Sequence, residues 1–256
     1  MTRPLVQYGS TGKYVVELQE LLNKWILKAD GNHNSRYCEP DGVFGSYTKG
    51  IVKDYQLEMF LLKDGIVGNK TWSALLGTET YNCFDLPLPF VNAPNEHQCW
   101  AGATAMELKQ AAPNTTKPPG VVFETLPGGQ TGGIDNSHSN MQRYATSHSM
   151  QMYQGELYSC QQLVRLIDQY GRLMLNIKGV NSSMTTGSPD DSHLVNLVGA
   201  RGTGQPDGTT ITIYNPSGDF GTGRVITASY QYLKSKYPKL SYQVFVKFSN
   251  RSAPIN

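Results

Sequence analysis

Asp41-Gly42-Val43-Phe44-Gly45-Ser46-Tyr47-Thr48 returns at residues 64–71 as Asp64-Gly65-Ile66-Val67-Gly68-Asn69-Lys70-Thr71. Both copies read Asp-Gly-apolar-x-Gly-x-x-Thr. The first glycine of each copy suits a tight turn with positive φ, where a side chain would be strained. The second half of each copy reads as the start of a helix, with Thr48 and Thr71 just inside it. Residues 50–56 and 72–76 then carry helical stripes, and Gly77 is placed to end the second. An earlier stripe of Val15, Leu18, Leu21, Leu22, Trp25 and Ile26 predicts a helix over about Tyr14–Leu27.

Three helices tied by a doubled turn motif predict a small domain over residues 1–78. It resembles the peptidoglycan-binding domain carried by bacterial and phage wall hydrolases. The likeness runs through Gly9-Ser10-Thr11-Gly12, Val15, Leu18-Gln19, Leu22, both Asp-Gly copies, Tyr55-Gln56 and Trp72. One departure is the long loop Ala29–Pro40, with His33 and Cys38. Two roles stay open for the doubled motif: it builds the fold, or it also grips wall. The resemblance implies peptidoglycan as a partner.

Residues 79–90, with Pro87 and Pro89, read as a linker to a second domain over 91–256. Cys99 to about Ala111 is helical in pattern. Residues 112–145, rich in Pro, Gly, Asn, Ser and Thr up to about 140, read as a long loop of lid, blocker or slack character. Gln161–Tyr170 reads as a helix. Residues 172–178, 193–200, 209–214 and 240–248 read as strands. A helix first and antiparallel strands after predict an α+β domain.

Gln98-Cys99-Trp100-Ala101 is the sharpest chemical signal. A helix start offers partial positive charge and free N–H groups, which favour a thiolate and can hold an oxyanion. His193 opens a strand, where it can be held at a cleft edge to take and return a proton. Asn215-Pro216 ends the strand after the Gly-rich turn 201–208, so a hairpin would bring the Asn215 amide level with His193. The bland alternatives are a buried cysteine, a satisfied histidine and a simple turn.

In this order the three motifs resemble the papain-like cysteine peptidases, in their compact bacterial branch. The resemblance implies Cys99 as nucleophile, His193 as base and acid, and Asn215 as the group that orients the imidazole. Trp100 would then contact substrate. The family's oxyanion-hole glutamine, six residues before the cysteine, is replaced here by Ala93. Asn92, Asn95 or Gln98 is the available substitute. His97 is a rival base, whereas His138 and His148 are expected at the surface.

Other chemistry is disfavoured. The five histidines are scattered and no His-Glu-x-x-His occurs, so neither a zinc hydrolase nor any metal or other cofactor is expected. A formal charge of +2 and no basic run exclude a nucleic-acid partner. No stretch approaches the roughly 20 apolar residues of a membrane span. Cys38 and Cys83 are either bridged or free.

The sequence thus predicts a thiol amidase or peptidase acting at the cell wall, on peptidoglycan peptides or wall proteins. The N-terminus shows no signal-peptide core, which leaves three expectations open: a mature form, an export route that uses no such peptide, or a protein that stays inside. A toxin delivered into rival bacteria, with an immunity protein as partner, fits that pattern. The competing expectations are an inactive peptidoglycan-binding protein and a general secreted cysteine protease.

Overall fold

The computed structural model describes residues 3–30, 36–84, 90–93, 98–111, 137–154, 159–217 and 224–247. Two compact units form, Met1–Thr80 and Tyr81–Asn256.

The first unit packs α1 (Lys13–Asp30), α2 (Ser46–Glu58) and α3 (Asn69–Leu76) around Leu18, Leu22, Ile26, Phe44, Val52, Tyr55 and Trp72. Gly77 ends α3 in the left-handed conformation, at φ 65°. Each Asp-Gly turn is held by a buried glutamine from the preceding helix. Gln19 Nε2 donates to Asp41 Oδ1 (2.8 Å) and to the Val43 carbonyl (3.2 Å), while its Oε1 accepts the Gly42 N–H (2.9 Å). Gln56 repeats this on Asp64 Oδ1 (2.9 Å), the Ile66 carbonyl (3.0 Å) and the Gly65 N–H (2.8 Å). Gly42 and Gly65 have φ of 73° and 76°, which explains why each copy carries glycine there. The repeated geometry of the two copies is therefore a fold-building device.

The second unit is mixed helix and antiparallel sheet. Its strands are β1 (Tyr81–Phe84), β2 (Met150–Gln154), β3 (Leu173–Lys178), β4 (Ser192–Gly202), β5 (Thr209–Asn215), β6 (Arg224–Ser229) and β7 (Gln243–Lys247). They run in the order β2-β7-β3-β4-β5-β6, and β1 pairs with β4 beyond the end of β3. The helices are α4 (Cys99–Ala111), α5 (His138–Ser147), α6 (Cys160–Tyr170) and α7 (Tyr230–Lys236). α6 starts with a capping box, Ser159 to Gln162, which satisfies two otherwise orphaned N–H groups. α4 lies on the sheet. Trp100, Ala103 and Met106 pack with Leu194 and Val198 of β4 and with Tyr144 of α5.

Three expectations change. Residues 81–84, expected as linker, form β1, because Tyr81–Phe84 completes the edge of β4 over residues 199–202. Of the long loop, residues 112–136 lie outside the described residues, but α5 and β2 follow directly. His148, expected at the surface, is buried on the Tyr144 ring, with Nδ1 2.9 Å from the Tyr144 carbonyl. All four cysteines are free thiols.

Candidate active site

Cys99 is the first residue of α4, so its N–H lies among the helix's unpaired N-terminal donors. The residue is 8% exposed, and its sulfur accepts the Leu194 N–H at 3.4 Å. Burial pushes this thiol up, but the charge and the proximity of His193 and the N–H groups of Leu194 and Trp100 outweigh that. The net result is a thiol below its ordinary range. Burial works on the His193 imidazole in the opposite sense. The Cys99 thiolate and Asn215 outweigh it and leave the imidazole above its ordinary value. The directions agree with a thiolate facing an imidazolium.

Asn215 fixes which nitrogen does this. Its Oδ1 accepts the Ser217 N–H at 3.0 Å, so that atom is an acceptor. The same Oδ1 is 2.7 Å from His193 Nε2, which must then carry the proton. Nδ1 is buried and makes no hydrogen bond with the described residues, so it is the nitrogen left to face the sulfur, as lone pair or N–H according to charge. The β4–β5 hairpin makes this possible. Asn196 faces Tyr214 across the ladder, so Asn215 comes level with the start of β4.

The other three thiols differ. Burial pushes Cys83 and Cys160 up to about 12, and raises Cys38. Cys99 is the one cysteine whose thiol moves down.

The remaining expected residues divide. Gln98 is buried beside Cys99, and its carbonyl caps α4 by accepting the Ala101 N–H at 3.0 Å. Asn92 is exposed. Asn95 and His97 lie outside the described residues. Trp100 is corrected: at 1% exposure it is a core residue, edge-on to Tyr144, with no surface to offer a substrate. The Ala93 position has a structural occupation. Its N–H donates to the Pro216 carbonyl at 2.8 Å, tying the segment before α4 to the turn after Asn215. Gly102 sits under this junction, where an added Cβ would lie 2.7 Å from Pro216 Cβ. Sequence reading missed two buried polar residues behind the site, Glu107 and Asn196. A lone carboxylate on α4 and a lone amide inside Leu194-Val195-Asn196-Leu197-Val198 were the available signals.

Among the described residues no cluster of three or more His, Cys, Asp or Glu could hold a metal. No described helix is long and apolar enough to cross a membrane.

Comparison with known proteins gives the following. A spore cortex-lytic enzyme of Halalkalibacterium halodurans is 38% identical over 78 residues, 30% of this chain. The chain spans 21% of that relative's length. The crystal structure of the SleB N-terminal domain is 32% identical, with a TM-score of 0.24. It covers 30% of this chain and 93% of that one. A structure described as a "putative C39-like peptidase" from Bacillus anthracis covers 64% of this chain and 96% of its own. Its identity is 12% and its TM-score 0.42. Residues 11–75 match the family described as "Putative peptidoglycan binding domain", and the chain carries a domain of that family at its N-terminus.

Proposed function

We propose that the chain is a papain-like cysteine peptidase or amidase that cuts amide bonds at the bacterial cell wall. The observation that supports this is the convergence of Cys99, His193 and Asn215, with the thiol shifted down and the imidazole up. The thiolate attacks the carbonyl carbon, forming a C–S bond and an oxyanion. The Cys99 N–H at the start of α4 stabilises that oxyanion, with the Gln98 amide as the candidate second donor. The C–N bond then breaks, and His193 gives its Nδ1 proton to the leaving amine. His193 next takes a proton from water, which hydrolyses the thioester and restores the thiolate.

The small domain supports peptidoglycan as the tethering partner, since it matches a family with that description. The relative named for spore cortex lysis supports a wall substrate. Tethering raises the local concentration of substrate without changing the chemistry. Stem or cross-bridge peptides are the leading substrates, which places the action outside the cytoplasm. A toxin role, with an immunity protein as partner, is the extension of this reading.

The test is digestion of purified sacculi by wild type and Cys99→Ala, with mass spectrometry of released fragments. Fragments from wild type alone identify the bond. Equal inertness of both, on sacculi and on a casein-type substrate, would make the chain a binding protein. Cleavage of casein with no muropeptide release would make it a general protease.

A further inference from the structure

The helix carrying Cys99 and the strand carrying His193 are joined by one buried side chain. Asn196 Nδ2 donates to the Ala103 carbonyl at 3.1 Å and to Glu107 Oε1 at 3.0 Å, so both of its hydrogens are spent on α4. Asn196 is fully buried, and no water can replace either bond. Ala103 lies one turn, about 6 Å, along α4 from Cys99. Asn196 lies two residues, about 7 Å, along β4 from Leu194, whose N–H meets the Cys99 sulfur. The joint is therefore one turn and two residues from the reacting pair.

Glu107 is itself held. Arg172, just before β3, brings Nε within 3.4 Å of Oε2. Burial pushes the Glu107 carboxyl up, and Arg172, Asn196 and Lys247 oppose that. Burial wins and leaves this carboxyl above its ordinary value; burying such a group is costly, and this one serves no step of the reaction.

We propose that Asn196 is a positioning residue which, anchored on Glu107, sets the spacing of α4 and β4 and thereby the contact of the Cys99 sulfur with the His193 imidazole. This rests on the reading of Cys99 and His193 as a thiolate–imidazolium pair.

The experiment is site-resolved alkylation of Cys99 by iodoacetamide across pH, in the full chain, with circular dichroism on every variant. Wild type should react at about pH 5.5, well below the ordinary thiol range near 8.5. Asn196→Ser cannot reach both acceptors. Its rate at about pH 5.5, relative to that at about pH 9, should fall about tenfold, which needs a rise of at least one unit in the thiol pKa. Glu107→Leu should follow it, and carries the test alone if Asn196→Ser does not fold. Glu107→Gln keeps an oxygen acceptor and should retain the wild-type profile. Folded Asn196→Ser or Glu107→Leu with the wild-type profile overturns the proposal, as does loss of acid-side reactivity in Glu107→Gln. A wild type without acid-side reactivity, or a His193→Ala that keeps it, fails the ion-pair reading instead.

Discussion

Asn215 Oδ1 accepts two N–H groups at once, His193 Nε2 at 2.7 Å and the Ser217 backbone at 3.0 Å. The second bond pins the amide, so the first pins the tautomer of the imidazole. Asn215→Ala removes the acceptor that favours the charged imidazole. A hydrogen bond to a charged group contributes about 1.5–3 kcal/mol. The expected loss in kcat/KM is therefore roughly 10- to 100-fold, with a smaller change in KM. Steady-state kinetics on a soluble peptide check this, and unchanged kinetics would remove Asn215 from the site.

The pH dependence follows from the two opposed shifts. A lowered thiol stays ionised until pH falls through its lowered value, below the usual range near 8.5. A raised imidazole stays protonated until pH rises through its raised value, above the usual 6.5 or so. The reactive pair exists between those limits, so kcat/KM should be bell-shaped, with the acid limb from Cys99 and the alkaline limb from His193. His193→Ala should erase the acid-side reactivity of Cys99 toward iodoacetamide. Cys83 and Cys160, pushed up to about 12, should stay silent in the same digest.

The parts of this fold that were legible share a physical reason. The three-helix unit showed because its turn chemistry is doubled and its helices carry clean apolar stripes. Cys99, His193 and Asn215 showed because each stands at an element end beside a strong local signal: a helix start, a strand start and Asn-Pro. β1, β2, β6, α5 and α7 are short, so periodicity over four to ten residues could not separate them from loop. β1 exists only because β4 extends past β3 and offers an edge, which is a tertiary fact. Trp100 was misread for a related reason. Adjacency to a nucleophile in sequence says nothing of which helix face a ring occupies, and this ring turns into the core. The roles of Gln19 and Gln56 were not legible either, since a glutamine's place in a distant turn is set by packing.

Those two glutamines give a stability prediction. Gln56→Ala strips an acceptor from Gly65 and a donor from Asp64 at a buried site. Leaving buried polar groups unpaired costs about 1–3 kcal/mol. Gln19→Ala should cost a similar amount, because its bonds are the same set on the first copy. Denaturant unfolding of residues 1–80 measures both. A difference between them larger than about 2 kcal/mol would show that the two copies are not equivalent.

The two units make separable contributions. Removing residues 1–77 should reduce pelleting with sacculi while cleavage of a small soluble peptide stays within about twofold, since tethering acts through local concentration alone. Pelleting and peptide kinetics on the same preparation test this together. Loss of both would make the N-terminal unit necessary to the catalytic fold.

Gly102 marks a tight junction beside the site. The Asn215-Pro216 turn crosses α4 here, where a Cβ would stand 2.7 Å from Pro216 Cβ and 2.9 Å from the Ala93 nitrogen. Neither is the free end of a flexible side chain, so Gly102→Ala must push the turn away from the helix. Elsewhere in a helix the same change stabilises by about 1 kcal/mol. Here the gain should be overridden, with a net loss of roughly 1–3 kcal/mol, as for overpacked cores. Because Asn215 moves with Pro216, the His193 hydrogen bond should lengthen too. The variant should therefore lose activity at temperatures where it is still folded. Thermal melting set against kcat/KM well below the melting point separates the two effects, and full activity with a lowered Tm would confine Gly102 to packing.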